Sequence, residues 1–449
     1  MPARAVGAAV LSAVFATALV RAQPAPRLPA LLDGAGVAEL ELEAPLKHLF
    51  EAGSGDQDAT VTGTLSYGDS GGGDTVVFRD LAVSVRGHTS RRETECTFPK
   101  LKLKLRGGGS IRIGTHCGDA PDNQLSAKYG RLANEKSPLR EALVYRMLQA
   151  AGVPTMRTRP ARITYRDDVA GRAPLTRNAL LIEDDGDVMT RTGGSEITME
   201  QFGNVASRHA GADAGLIAFG EAMIGNFDWC LKYAADDTYR CDDSKPLWNL
   251  LAFARGNGTA LVMKDFDLAG AVVGRHAWFD TVWNRGFVPA KSPIEIEVLS
   301  QVQRTRSLLP RDELDGLRRH FLGRRPEIEA AIRDAPVDEE GRGLARRYAT
   351  DFFSAIDDDR AFYRPVVAQS DVQIYVDPQR ATEACGVKDV MRAGTPVNEL
   401  RRAGAMSEVV VLDAMWRWAE KRACHNVQNG PVWIATDAIT TDYPAAKRP

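Results

Sequence analysis

Gly225-Asn226-Phe227-Asp228-Trp229, Leu247-Trp248-Asn249-Leu250-Leu251 and Lys264-Asp265-Phe266-Asp267-Leu268-Ala269-Gly270 are the landmarks of one stretch, residues 225–270, from which the rest of the chain is read. Between Asn249 and Asp265 lie two apolar runs, 250–254 and 259–263, separated by Gly256-Asn257-Gly258. Runs of that length about a Gly/Asn turn predict a β-hairpin. Antiparallel partners begin and end side by side, so the hairpin brings Asn249 and Asp265 together. Asp228 follows a very apolar segment, 216–224, long enough for a buried helix. The predicted order is helix, Asp, Asn, hairpin, Asp-Phe-Asp.

A catalytic Asp, a metal-binding Asn that opens a hairpin and a metal-binding Asp that closes it form the back wall of a protein-kinase site. Asn249-Leu250-Leu251 and Asp265-Phe266-Asp267-Leu268-Ala269 resemble the corresponding kinase segments. Two features depart from the ordinary pattern: Asn249 follows Asp228 by 21 residues instead of about five, and Asp267 stands where Gly is usual. Both departures are similar to those of the CotH-like kinases, a family named after a spore-coat protein, whose members commonly show Gly-Asn-x-Asp-Trp followed later by Asp-Phe-Asp. The resemblance covers roughly residues 80–330 and is diffuse outside the motifs. It implies an α+β, two-lobed kinase-like fold over residues 28–365, with a small antiparallel β lobe at 28–185 and a mostly helical lobe at 186–365. It also implies ATP with magnesium or manganese as cofactors and a protein hydroxyl as acceptor. Asp228 would be the catalytic residue, and Asn249, Asp265 and Asp267 would hold metal.

Residues 1–22 carry Arg4, an apolar core over 6–20 and the small-x-small site Val20-Arg21-Ala22, the pattern of a secretory signal peptide. The apolar run is shorter than a membrane span requires, and no later segment approaches one, so no span is expected after cleavage. The expected location is exported, either periplasmic or secreted. Hydrophobic residues make up 44% of the 449 and charged residues 26%, with a net charge of −2, which gives no basic excess for nucleic acid. Six cysteines in an exported chain predict disulfides, and neighbourhood pairs Cys96 with Cys117, Cys230 with Cys241 and Cys385 with Cys424. The second bond would tie off the residues between Asp228 and Asn249. Seven histidines without paired spacing, and no Cys-x-x-Cys, argue against a cysteine or histidine metal site.

Alternation over 37–42, 60–67 and 75–85 predicts strands of a small antiparallel sheet. Asp69-Ser70-Gly71-Gly72-Gly73-Asp74 lacks the spacing of a phosphate loop and reads as a hairpin tip. Phosphate contact is expected instead at Arg86-Gly87-His88-Thr89-Ser90-Arg91, where Arg86 would pair with an anion. Phe98-Pro99-Lys100-Leu101-Lys102-Leu103-Lys104-Leu105 sets Lys100, Lys102 and Lys104 on one face of a strand, either as a solvated surface or, as the resemblance implies, with one of them on ATP phosphate. Arg112 in the next strand is a further candidate. Ser137 and Pro138 open a helix that Gly152 and Pro154 end, with Ser137 as its cap. On it, Glu141 either faces solvent or, as the resemblance implies, orients the phosphate-binding Lys. Residues 161–165 and 179–183 predict further strands, Glu183-Asp184-Asp185-Gly186-Asp187 a hinge or turn, and 344–356 a closing helix.

Past residue 363 short apolar runs at 372–376, 409–412, 416–419 and 431–434 alternate with turns, and Gly394-Thr395-Pro396-Val397 lies among them. Residues 366–449 thus resemble a bacterial SH3-like β domain, with Trp416, Trp418 and Trp433 in its core or lining a groove for a peptide or glycan of the cell envelope. Two rivals to an exported kinase are a kinase-shaped binding protein without turnover and an envelope attachment protein whose larger part is a scaffold.

Overall fold

The computed structural model describes residues 27–440 except 35, 56–57, 69–74, 88, 93–95, 119–134, 168–170, 172, 206–211, 233–245, 257, 275–289, 306–308, 310, 364–365, 369, 381–389, 392–394 and 411–430. Expectations for the signal peptide, the 69–74 loop, Cys241, Cys385, Cys424, Trp416 and Trp418 lie outside the described residues. No described helix is long and apolar enough to cross a membrane.

The alternating segments of the first part become β1 (Ala38–Glu43), β2 (Thr60–Tyr67), β3 (Val76–Val85), β4 (Leu101–Leu105), β5 (Gly109–Gly114), β6 (Thr158–Arg166) and β7 (Leu175–Glu183). The antiparallel strands expected from sequence form, and the sheet goes further than expected. They close into a barrel in the order β1-β2-β3-β4-β5-β7-β6, and the closing pair β1–β6 is parallel, from Ala38 opposite Ala161 to Glu43 opposite Arg166. Closure satisfies the two strand edges an open sheet would leave. Every second residue turns inward, so Leu40, Leu65, Val83, Leu103, Ile111 and Ile163 fill an apolar interior. A 3-10 turn, Leu28–Leu32, adds Leu28, Leu31 and Leu32 to that core. On β4 the same alternation buries Leu101 and Leu103 and turns the lysines outward.

Between β1 and β2 runs a short helix, α1 (Leu46–Gly53), and between β5 and β6 runs α2 (Ser137–Ala150), buried along most of its length. Ser137 is not its cap: Lys136 occupies that position without a side-chain cap bond, and the Ser137 hydroxyl is buried inside the first turn without a partner. Helices α3 (Asp185–Thr192), α4 (Met199–Val205) and α5 (Ala212–Ile224) follow β7. The acidic stretch after β7 is therefore a helix start instead of a hinge loop.

The predicted hairpin forms as β11 (Leu250–Arg255) and β12 (Gly258–Met263), with Leu250 opposite Met263, and β11 also pairs with β8 (Ser195–Ile197). Ahead of it, β9 (Cys230–Leu231) pairs with β10 (Leu247–Trp248). After the short α6 (Gly270–Val273) come helices Pro293–Thr305, Arg311–Gly323, Arg325–Arg333, Glu339–Asp357 and Asp359–Tyr363. Phe219 of α5 meets Phe321, Phe352 and Phe362 at ring-centroid distances of 5.5, 6.2 and 6.0 Å, so aromatic side chains from four helices share one core that also holds much of α2 and the hairpin.

The tail is an antiparallel sheet in the order β18-β17-β16-β13-β19, built from β13 (Val366–Ala368), β16 (Pro396–Ala403), β17 (Met406–Val410), β18 (Val432–Ala435) and β19 (Ile439–Thr440). The strand expected over 372–376 shortens to β14 (Val372–Gln373), paired with β15 (Val390–Met391), and Val376 is exposed. Trp433 is buried beside a separate core of Ile374, Met391, Val397, Val409, Val432 and Ile434. Because that core shares no residue with the other two clusters, a chain ending at Tyr363 is expected to keep the melting temperature of its main unfolding transition within about 5 °C. Circular dichroism melting checks this, and loss of the transition on truncation would make the tail part of the main fold.

Candidate active site

Three elements bring the landmarks of residues 225–270 together. The first is the β9–β10 ladder, in which Trp248 lies opposite Cys230 and the Lys232 N–H donates to the Pro246 carbonyl at 2.8 Å. It sets Asp228 and Asn249 side by side, and Asn249 Nδ2 donates to Asp228 Oδ2 at 3.0 Å and to its carbonyl at 2.5 Å. The expected clasp was a disulfide between Cys230 and Cys241. Cys230 is disulfide-bonded, but within the described residues the backbone ladder is what joins the two ligands across the 21-residue interval.

The second element is the turn before Asp228. Asn226 is fully buried, donates from Nδ2 to Glu221 Oε2 at 2.8 Å, and accepts the Asp228 N–H on Oδ1 at 3.1 Å. Its carbonyl accepts from Gln301 Nε2 at 2.7 Å. Asn and Gln in these positions are therefore structural, holding the backbone that presents Asp228.

The third is the packing of Gly225 and Gly270 on Tyr348. The Gly270 N–H donates to the Gly225 carbonyl at 3.0 Å, and a Cβ on either glycine would overlap the Tyr348 side chain. Gly225 also has φ +65°, so it is needed both for space and for conformation. This close approach fixes the distance between the Asp228 turn and the Asp265-Phe266-Asp267 turn.

Asp265 and Asp267 converge on a cation supplied by the barrel. Lys100 Nζ lies 2.8 Å from Asp265 Oδ1 and 2.6 Å from Asp267 Oδ2. Of the three lysines on the β4 face, Lys100 alone is brought to these carboxylates. Lys102 pairs with Asp184 at 2.9 Å, and Lys104 is exposed. Arg112 is likewise drawn away, with Nε 2.9 Å from Asp184 Oδ1 and its other end on Asp185. The Cys96–Cys117 disulfide forms as expected, with Cα atoms 4.7 Å apart. Beside it Phe98 pairs with Cys117, and Thr115 Oγ1 donates to the Phe98 carbonyl at 2.8 Å. These links hold the segment that delivers Lys100.

Glu141 is buried, at 4% exposure, but makes no ion pair with Lys100 within 4.0 Å. Its Oε1 accepts the Phe266 N–H at 3.4 Å, and one helical turn on, the Tyr145 hydroxyl accepts the Asp265 N–H at 3.2 Å. Tyr145 also packs edge-on against Phe266, with ring centroids 4.7 Å apart. Tyr145 and Trp248 escaped the sequence reading because both occupy ordinary apolar positions. Trp248 Nε1 donates to Asp228 Oδ1 at 3.0 Å. Arg86 stands at the end of β3, its N–H donating to the Lys100 carbonyl at 2.9 Å, with Nε buried and unpartnered. Beyond it Gly87 has φ +91°, and Arg91 donates back to the Gly87 and Val85 carbonyls, each at 2.7 Å.

The electrostatics follow from crowding carboxylates in a desolvated place. Burial and the Asp265 charge push Asp228 up to about 6 against its bonds from Trp248 and Asn249. Burial pushes Glu141 up to about 7, with Lys100 opposing and Asp267 and Asp265 adding. Burial also raises Asp267. Asp265 alone goes down, to about 2, because Lys100 and Arg86 outweigh the burial that would raise it. Lys100 is held protonated by Asp265 and Asp267 despite its own burial.

Among the described residues no group of three or more His, Cys, Asp or Glu side chains is arranged to hold a metal ion. The donor chemistry nevertheless fits a hard divalent cation: Asp265 and Asp267 already share one positive charge, that of Lys100, and Asn249 adds an amide whose N–H is spent on Asp228, leaving Oδ1 to ligate.

Two consequences are measurable on the metal-free chain. Glu141 has a folded-state pKa above its unfolded value of about 4.3, so folding favours its protonated form, and that contribution is lost as pH rises through about 7. Glu141→Gln keeps the acceptor for the Phe266 N–H, so its melting temperature should gain on wild type between about pH 4 and pH 7 and hold the gain above that; a pH-independent difference would refute the assignment. Gly270→Ala meets the Tyr348 hydroxyl and should destabilise the chain by roughly 1–3 kcal/mol, read from urea unfolding. No protein-family model matches the chain, and no curated protein matches it either.

Proposed function

We propose that the chain is an exported, metal-dependent phosphotransferase of the CotH-like kinase type, moving phosphate from ATP to a protein hydroxyl. In this reading the barrel and α2 are the small lobe of a two-lobed kinase-like fold over residues 28–365. The helical part with the hairpin is the large lobe. The observation that carries it is the convergence of Asp228 and Asn249 with an Asp265–Asp267 pair that clasps a lysine from the other lobe. Such an arrangement would set a proton acceptor beside an oxygen-ligand pair and an ammonium suited to phosphate oxygens.

A divalent metal held by Asn249 Oδ1, Asp265 and Asp267 would neutralise developing charge on the transferred phosphoryl group. Lys100 and Arg86 would bind phosphate oxygens. The acceptor oxygen forms its bond to the γ-phosphorus as the bond from that phosphorus to the β–γ bridging oxygen breaks, and ADP leaves with the electron pair. The hydroxyl proton passes to Asp228, whose carboxylate Trp248 and Asn249 orient. The sheet of 366–440, with Trp433 buried beside its core, would serve as an SH3-like attachment to envelope peptide or glycan.

A second reading, a nucleotide-binding protein without turnover, is favoured by one observation: Lys100 already pairs with both Asp265 and Asp267 and offsets part of their charge without metal. Two variants separate the readings. Asp265→Ala should abolish metal-dependent nucleotide binding together with transfer. Asp228→Ala should keep binding within a few-fold while turnover falls about a hundredfold to ten-thousandfold. Calorimetric titration with ATP and magnesium, paired with phosphate transfer to a protein acceptor or to the chain itself, gives both quantities. Wild-type transfer by Asp228→Ala removes its catalytic role, and wild-type binding without any transfer selects the second reading.

A further inference from the structure

Arg140 precedes Glu141 on α2 and touches none of the groups that handle phosphate or proton. It is nonetheless 4% exposed and among the most fully bonded cations described. Nε and Nη2 grip Asp338 Oδ2 and Oδ1 at 3.0 and 2.8 Å as a two-pronged pair, and Nη2 also donates to Glu340 Oε2 at 2.8 Å. Nη1 reaches the Val272 carbonyl of α6 at 3.4 Å. A Cβ at position 341 would stand 2.7 Å from Arg140 Cγ, so Gly341 makes room for this approach.

Asp338 is itself the N-cap of helix Glu339–Asp357, its Oδ1 accepting the Gly341 N–H at 3.2 Å. That helix carries Tyr348, on which Gly225 and Gly270 pack. The contacts form a ring: α2 holds the Asp265 and Phe266 N–H groups through Tyr145 and Glu141, the turn continues into α6, α6 and its glycine pack on Tyr348, and Arg140 closes the circuit back to α2. The start of α2 has no side-chain cap; its other polar holds are the half-exposed Lys136, whose Nζ is 3.9 Å from both Asp338 and Glu340, and Gln149 Nε2, which donates to the Met156 carbonyl at 3.3 Å near the far end, while the apolar packing of residues such as Leu143, Val144 and Met147 is not directional.

We infer that Arg140 is a positioning residue for the Asp265-Phe266-Asp267 turn, acting by fixing the register of α2 against helix Glu339–Asp357. Its importance for phosphate transfer rests on the function proposed above; its mechanical role does not. The two bonds from α2 to the turn, at 3.2 and 3.4 Å, tolerate little sliding before they break. A guanidinium gripping both oxygens of Asp338 fixes orientation in a way an ammonium does not. Because the grip is independent of nucleotide or metal, α2 is held in the same register in the resting protein.

The test is hydrogen exchange on the full, metal-free chain, read by mass spectrometry on peptides covering 264–269 and, as reference, β4 and β5. Arg140→Lys keeps the charge and loses the two-pronged grip; Asp338→Asn keeps an acceptor for the helix cap and loses the charge. Both should speed exchange in 264–269 by about tenfold or more while β4 and β5 keep their wild-type protection. Glu340→Gln, on a half-exposed partner, should give a smaller rise confined to the same peptide, and it keeps the test decisive where the other two variants do not fold. Unchanged exchange in 264–269, or an equal rise in all three peptides, overturns the inference, since the second pattern is general loss of stability. In parallel, Arg140→Lys should lower kcat by on the order of a hundredfold at unchanged KM for the protein acceptor. A wild-type chain without metal-dependent nucleotide binding removes the phosphotransferase reading, while the exchange pattern still decides the role of Arg140.

Discussion

The Lys100 ammonium between Asp265 and Asp267 is the contact on which the site depends. The charges of Asp265 and Asp267 act on both Asp228 and Glu141; Glu141 is buried, while the Asp265 and Asp267 side chains keep 38% and 22% exposure. Crowded carboxylates of this kind are tolerated only if a cation joins them or their protons stay on. The chain uses both devices: Lys100 keeps Asp265 ionised, while Asp228 and Glu141 are pushed toward neutrality. A partly buried pair of this sort is weak evidence for stability as such, because its desolvation offsets much of its attraction. Its value lies in joining the barrel to the helical part at one defined point and in keeping the carboxylates in place.

Backbone conformation adds a second constraint. Asn249 and Asp265, at the two ends of the hairpin, both have positive φ, +54° and +65°. Asn and Asp are the non-glycine residues that adopt this region most readily. The same short polar side chains are those that ligate metal and receive hydrogen bonds. Each position therefore meets a conformational and a chemical requirement with one residue, and the Lys264 N–H to Asn249 carbonyl bond of 3.1 Å ties the two strained ends together.

What was legible in the sequence had a short-range cause. The hairpin, the helix before Asp228, the first three strands and the Cys96–Cys117 bond all follow from periodicity, turn residues or neighbourhood. What was not legible depends on contacts between distant segments. The parallel β1–β6 pair that closes the barrel joins residues 38–43 to 161–166, and no local pattern in either strand specifies a parallel partner. Ser137 carries the composition of a cap, yet it is the first helical residue, and the cap position falls one residue earlier, at Lys136. Nothing in the local pattern marks Tyr145 or Trp248 for the site, and only the folded chain turns their polar ends toward Asp265 and Asp228.

The choice among Lys100, just ahead of β4, and Lys102 and Lys104 within it shows how such an ambiguity is resolved physically. Strand alternation makes Lys100, Lys102 and Lys104 equivalent in direction, so sequence alone leaves them interchangeable. Their counter-charges differ. Asp184, at the junction of β7 and α3, accepts from Lys102, Ser110 and Arg112 at 3.0, 2.7 and 2.9 Å and captures both nearby cations. Lys100, one pleat closer to the Cys96–Cys117 bond, lies beyond that reach and meets Asp265 and Asp267 instead. The acidic start of α3 thus acts as a sink for surplus positive charge on the outer face of the barrel. That sink leaves Lys100, just ahead of β4, as the lysine of the three that faces the Asp-Phe-Asp turn, so specificity at the site is set as much by what removes its competitors as by what attracts it.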